Sequence, residues 1–309
     1  RVEHARGVPV VQREFPSLFD MFGGNRPSDP EGFDEQTEFG RAVELAAGSD
    51  VAVVVAGEWQ NMIGENASRS SLELPGRQLE LIQAVVGTGT PVVLLVMNGR
   101  PVDHVRWPAD NVPAILEIWY PGTQGGTAVA NLLFGAVSPG GKLPFTWPRS
   151  VGQVPIIYSH ARGFEPENQG RRYWDEASTP LFPFGYGLSY SSFSYTDLNV
   201  DQPSIPADGT VMVSVQVANT GGRVADEVVQ LYIHQRYGTA ARPVRELKGF
   251  RRITLQAGES RTVEFPVGPT ERRYWNAAVK DWVSDAAVFD VWVGGDCTAD
   301  VSGTFEVTG

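Results

Sequence analysis

The stretch DVAVVVAGE, residues 50–58, decides the fold of the first part of the chain. Every residue from 51 to 56 is apolar, and Gly57 closes the run. A run that is apolar on both faces and bounded by turn residues suits a strand in a covered parallel sheet. TPVVLLVMNG (residues 90–99) and VPAILEIWY (112–120) repeat the pattern. Between the first two lies LPGRQLELIQAVVGTG (74–89), where Leu79, Ile82, Val85 and Val86 fall at helical spacing. Pro75 suits the first turn of that helix and Gly87 its stop. PGTQGGTAVANLLFG (121–135) reads as a further helix closed by Gly135, and DEQTEFGRAVELAAGSD (34–50) as one with a Gly-Ser-Asp exit. Repeated βα units joined in this way predict a doubly wound α/β domain with right-handed crossovers.

Further along, the rhythm changes twice. SPGGKLPFTWPRSVGQVP (138–155) and TPLFPFGYGLSYSSF (179–193) are dense in Pro, Gly and aromatics, which predicts extended connecting chain anchored by its rings. From about residue 197 the period becomes two. TVMVSVQVANTGG (210–222) puts Val211, Val213, Val215 and Val217 on one face. EVVQLYIHQ, SRTVEFPV and AAVFDVWVGG follow, with NTGG and QAGES as turn signals. Short alternating strands at this spacing predict an antiparallel sandwich of immunoglobulin or fibronectin type III kind, and the lack of a Cys pair favours the latter. The expected organisation is an α/β sandwich domain over residues 1–148, an extended linker over 149–196, and a fibronectin type III-like β-sandwich over 197–309.

Bulk composition narrows the function classes. A chain of 309 residues is long for one core and suggests two domains. Its 42% apolar and 20% charged content is that of a soluble globular protein. A net charge of −11 argues against a nucleic-acid partner, because phosphate binding needs a basic surface. No window is apolar for long enough to span a bilayer, so no membrane partner is expected. Cys297 is the single cysteine. It cannot form an internal disulfide, which fits a reducing compartment or a bacterial secreted protein, and it reads as an incidental thiol. The start, RVEHARGVPVVQREFPSLFD, has neither an initiator Met nor the apolar core of a signal peptide, so the chain reads as cut from something longer.

The chemistry concentrates in GEWQNMIGENASRSSLELPGRQ, residues 57–78. Strand-to-helix connections normally run about two to six residues, and longer ordered ones tend to carry function. In open α/β sheets, ligands bind beyond the carboxyl ends of the strands, where this loop falls. It holds three carboxylates. Glu58 sits at the strand end, with its backbone expected to continue the sheet. Glu65 is mid-loop after Gly64, with Asn66, Ser68 and Arg69 as polar neighbours. Glu73 precedes Pro75 and resembles an acid favoured at a helix start. From the residues alone the choice among them stays open, and a solvated loop glutamate is the commoner case. Glycoside hydrolysis, the obvious two-carboxylate reaction, needs a second acid across the bond, and no partner stands out in the chain. His4, His104, His160 and His234 are scattered, so no metal is expected. No G-x-S-x-G elbow supports acyl transfer, and PGTQGGT lacks the Lys-Ser/Thr of a phosphate loop, so no cofactor is expected.

These stretches resemble a known family. The loop 57–78, VVLLVMNGRPV, the run from 115 to 160 and LFPFGYGLSYSSFSY together resemble the C-terminal half of glycoside hydrolase family 3, the β-glucosidase type. RPVRELKGFRRITLQAGESRTVEFPV resembles that family's fibronectin-like domain. The resemblance implies a (β/α)8 barrel ahead of an (α/β)6 sandwich, with the nucleophilic aspartate in the barrel and the general acid/base in a sandwich loop. It maps that acid/base onto Glu65 in GENASR, matches Arg69 as the following arginine, and supports neither Glu58 nor Glu73. It implies a retaining, exo-acting β-glucosidase acting on β-glucosides or oligosaccharides, periplasmic or extracellular, with cytoplasmic relatives known. The barrel is not in this chain, so its partner is expected to be the N-terminal barrel part, as a separate or cleaved chain. Trp59 is a candidate to stack on a sugar face, and Arg69 is expected to brace the loop or contact the sugar rather than clamp Glu65. A non-catalytic glycan- or protein-binding module is the alternative.

Overall fold

The structure is a computed structural model that describes the chain apart from residues 13–27, 60, 61, 164–167, 169 and 171 and the side chain of His104. It divides into two compact units, Arg1–Val129 with Pro148–Val154, and Ala130–Trp147 with Pro155–Gly309.

The first unit is built on a three-stranded parallel sheet in the order β1-β2-β3. β1 is Ala52–Gly57, β2 Val92–Met97 and β3 Ala114–Glu117, so each of the three apolar runs became a strand. α1 (Glu35–Ala47) starts on Asp34, whose side chain accepts the amide of Thr37, an N-cap of the usual kind. α2 (Gln78–Gly87) connects β1 to β2, α3 (Arg106–Asn111) connects β2 to β3, and α4 (Gly125–Leu133) follows β3. Two expectations need correction. α2 begins at Gln78, not at Pro75, because Gly76 takes φ 62° and breaks the helical path before it starts. Its first-turn acid is accordingly Glu80, and Glu73 lies ahead of the helix in the loop. The stripe that α2 buries includes Leu81 together with Ile82 and Val85. β1 is also less covered than a fully buried strand: Val53 and Val55, alternate residues on one face, are 47% and 58% exposed.

In the second unit, the aromatic-rich segments lie against one another. Trp147 and Phe182 form an antiparallel bridge, and Leu143 exchanges backbone hydrogen bonds with Gly185 and Tyr186. Stacked pairs Phe182–Tyr186 and Tyr158–Phe184, at 5.2 and 4.2 Å, anchor this irregular chain. The sandwich then comprises β4 (Phe193–Val200), β5 (Ser204–Pro206), β6 (Val211–Asn219), β7 (Ala225–Gln235), β8 (Glu246–Leu255) and β9 (Ser260–Val267). After the short helix α5 (Pro269–Arg272) come the hairpin β10–β11 (Tyr274–Asn276 and Asp281–Val283), then β12 (Ala287–Gly294) and β13 (Val301–Thr308). One sheet has the order β5-β13-β12-β7-β8, the other β4-β6-β9. Val211, Val213, Val215 and Val217 are all fully buried, and they pack in one core with Leu231, Phe289 and Phe305. The period-two pattern therefore becomes a two-sheet core, as alternation in an antiparallel sandwich demands.

Candidate active site

The loop between β1 and α2 is fastened at its two ends by one side chain. The Gln78 amide accepts from Gly57 N at 2.7 Å and donates to Gly57 O at 2.9 Å. Ala67 and Leu74 are buried anchors within it, and Leu72 O accepts from the backbone of Asp103 at 2.8 Å.

Glu58 is the electrostatic centre. Its side chain has no solvent exposure, and it points away from the sheet ladder into a pair of guanidinium groups. Arg69 Nη1 lies 2.9 Å from Oε1 and Arg100 Nε 3.0 Å from the same oxygen. Both arginines also hold loop backbone: Arg69 Nη2 donates to Glu73 O at 2.8 Å, and Arg100 Nη2 donates to Met62 O and Ala67 O at 2.5 and 3.0 Å. The Tyr120 hydroxyl donates to Glu58 O at 3.0 Å. Its phenol is pushed up to about 12, first by burial and then by the charge of Glu58. Glu58 is thus an ion-paired strut at the strand end, and Arg69 braces the loop by pairing with it.

Glu65 stands exposed in a turn, with Gly64 at φ 89° and Asn66 at φ 55° on either side. Two left-handed neighbours make a tight turn at Glu65. Trp59 is half-buried at the start of the loop, where its carbonyl accepts from Met62 N at 2.9 Å. Glu73 is exposed. The loop thus separates its carboxylates by environment: Glu58 is sealed and neutralised, whereas Glu65 is presented to solvent. Arg100 and Gln78 were not singled out from the sequence. The available signal was a charged residue three positions after a strand apolar throughout, in VVLLVMNGR, at the sheet's carboxyl edge.

A second perturbed acid lies at the end of β3. Burial pushes the Glu117 carboxyl up to about 8, against the lowering effects of hydrogen bonds from Trp119 N and the Asn98 side chain. In the second unit, burial pushes the Cys297 thiol up to about 11, which leaves it un-ionised and a poor nucleophile at neutral pH. Among the described residues, no group of three or more His, Cys, Asp or Glu side chains is placed to hold a metal ion.

Fold and loop define a class: a parallel α/β unit presenting a carboxylate beyond its strand ends, followed by a fibronectin-like sandwich. The chain belongs to glycoside hydrolase family 3, for its residues 8–190 match the family's C-terminal domain. Residues 227–297 match the fibronectin type III-like domain. A periplasmic β-glucosidase of Salmonella typhimurium is 43% identical, the match covering 99% of this chain and 40% of that protein. A β-xylosidase of Formosa agariphila is 44% identical, covering 87% of this chain and 37% of that protein. Among solved structures, a β-glucosidase from Listeria innocua in complex with glucose superposes with a TM-score of 0.81 at 34% identity, covering 87% of this chain and 38% of that one. The chain therefore spans about two fifths of the length of these relatives.

Proposed function

We propose that this chain is the C-terminal portion of a retaining, exo-acting β-glucosidase, with Glu65 as its general acid/base. The observation that carries this reading is the exposed Glu65 turn, in a loop tied at its ends by Gln78 at the carboxyl end of β1 in a chain of this family. Glu65 protonates the leaving glycosidic oxygen while an aspartate in an N-terminal barrel portion, outside these residues, attacks the anomeric carbon. It then deprotonates the water that releases the glycosyl-enzyme. Trp59 offers an indole face for sugar stacking. Arg69 braces the loop and serves as a further sugar contact. Terminal β-glucosyl residues, such as those released in cellulose degradation, are the proposed substrate, and the names of the relatives support this class. A periplasmic or extracellular location rests on the Salmonella relative.

The test is Glu65→Gln in the enzyme assembled from this chain and its barrel portion. We expect kcat/KM to fall by roughly 100- to 10,000-fold for alkyl or disaccharide β-glucosides and to be nearly spared for aryl β-glucosides with good leaving groups. Equal loss on both kinds would remove Glu65 from the acid role. Glycan affinity in the isolated chain, unchanged by Glu65→Ala, together with no turnover in the assembly, would instead mark a binding module.

A further inference from the structure

Arg100 stands just beyond β2, yet its guanidinium works in the loop after β1. Nη2 donates to Met62 O at 2.5 Å and to Ala67 O at 3.0 Å, one carbonyl on each side of Glu65. Nε meets Glu58 Oε1 at 3.0 Å, at the end of β1. One planar cation therefore ties the strand end to both limbs of the turn that presents Glu65. Gly64 and Asn66 both accept a left-handed φ readily, so the placement of this turn relative to the strand ends has to be fixed from outside its own backbone. Arg100 supplies that fixing at the two carbonyls that flank it. Arg69 acts elsewhere, since its backbone contact is to Glu73 O, beyond the turn.

We infer that Arg100 is the positioning residue for Glu65: it sets the turn so that the carboxyl stands where the leaving oxygen arrives. This rests on the reading of Glu65 as general acid/base. The chemistry asks for arginine in particular. A guanidinium donates in a rigid fork and can hold two carbonyls and a carboxylate at once, whereas a lysine ammonium is a point charge on a flexible stem. A small misplacement of a catalytic group is costly, of order 100-fold for about 1 Å.

The experiment uses the assembled enzyme with Arg100→Met, Arg100→Lys, Glu65→Gln and the double variant Glu65→Gln/Arg100→Met. For each, kcat/KM is measured on an alkyl β-glucoside and on an activated aryl β-glucoside. Arg100→Met is expected to lose roughly 100-fold on the alkyl substrate and little on the aryl one. Arg100→Lys keeps a counter-charge for Glu58, and so the fold, but loses the double carbonyl grip. It is expected to show a smaller loss with the same leaving-group dependence. The double variant should be no worse than Glu65→Gln alone, because residues acting through one group are not additive. Leaving-group-dependent loss in Glu65→Gln, with Arg100→Lys losing both substrates alike or neither, would overturn the positioning role and leave Glu65 in place. Leaving-group-independent loss in Glu65→Gln would instead remove the reading on which the inference stands.

Discussion

At Glu58 the balance is between desolvation and pairing. A carboxylate with no exposure gives up its hydration, which costs several kcal/mol unless it is replaced by good partners. Here two guanidinium groups, 20% and 22% exposed, replace it, and each keeps further hydrogen bonds to backbone carbonyls. Removing the shared partner strands two half-buried cations at once. Glu58→Ala is therefore expected to destabilise the α/β unit by about 3–5 kcal/mol. Glu58→Gln, which keeps an acceptor oxygen in place, should cost less. Arg69→Met should also cost less than Glu58→Ala, because Arg100 still neutralises the carboxylate. Urea unfolding of the chain with a probe in the α/β unit checks the order. If Glu58→Ala melts like the parent, the strut is not a stabilising element.

At the scale of the element, the end of β3 holds an acid where a strand meets a strained turn. Glu117 Oε1 accepts the amide of Trp119 at 2.9 Å, and Trp119 is a bulky residue at φ 49°. Glu117 Oε2 and Asn98 Oδ1 are buried without a hydrogen-bond partner among the described residues, which suits a carboxyl that keeps its proton. Raised from 4.5 to about 8, Glu117 holds a proton in the folded chain that the unfolded chain releases across that range. Its contribution to stability is thus full below pH 4.5, declines between there and about 8, and is flat above. Glu117→Gln, neutral and isosteric, should flatten the Tm profile between pH 5 and 8 and melt higher than the parent above it. Parallel profiles for the two proteins would show that Glu117 is ionised in the folded state throughout. How much of this was legible beforehand divides by range. The strands β1, β2 and β3 and the four valines of β6 were readable because a run or an alternation is a local signal. The start of α2 was misplaced because Pro75 is a local helix signal, and only the backbone at Gly76 cancels it. The exposed, mid-loop setting of Glu65 could be anticipated. The role of Glu58 could not, because its partner Arg100 lies 42 residues away and only the sheet brings the two strand ends together.

At the scale of the whole molecule, the two units carry different kinds of content. The sandwich closes on an apolar core of valines, leucine and phenylalanines, whereas the α/β unit exposes polar chemistry at its carboxyl edge. A retaining glycosidase needs two carboxyl groups about 5–5.5 Å apart across the bond, one of them an unencumbered nucleophile. Within this loop, Glu58 is the acidic residue nearest in sequence to Glu65 on the strand side, and its oxygens are committed to Arg69 and Arg100. Sealed from solvent, it cannot reach an anomeric carbon. Glu73, on the other side, has its own backbone carbonyl held by Arg69, beyond the Glu65 turn. On the proposed reading, the loop therefore supplies one working acid, Glu65, rather than a pair. The chain by itself is expected to give no measurable turnover of an activated aryl β-glucoside, since even a good leaving group requires the nucleophile. Adding a barrel portion from the same protein should restore turnover, saturating as the barrel portion is titrated against a fixed amount of this chain. Sodium azide separates the roles within that assembly: it should accelerate the Glu65→Ala variant on the aryl substrate, because an anionic nucleophile needs no base to discharge the glycosyl-enzyme. Turnover by the purified chain alone, abolished by Glu65→Gln, would place a second catalytic carboxylate within these residues and end the two-part account.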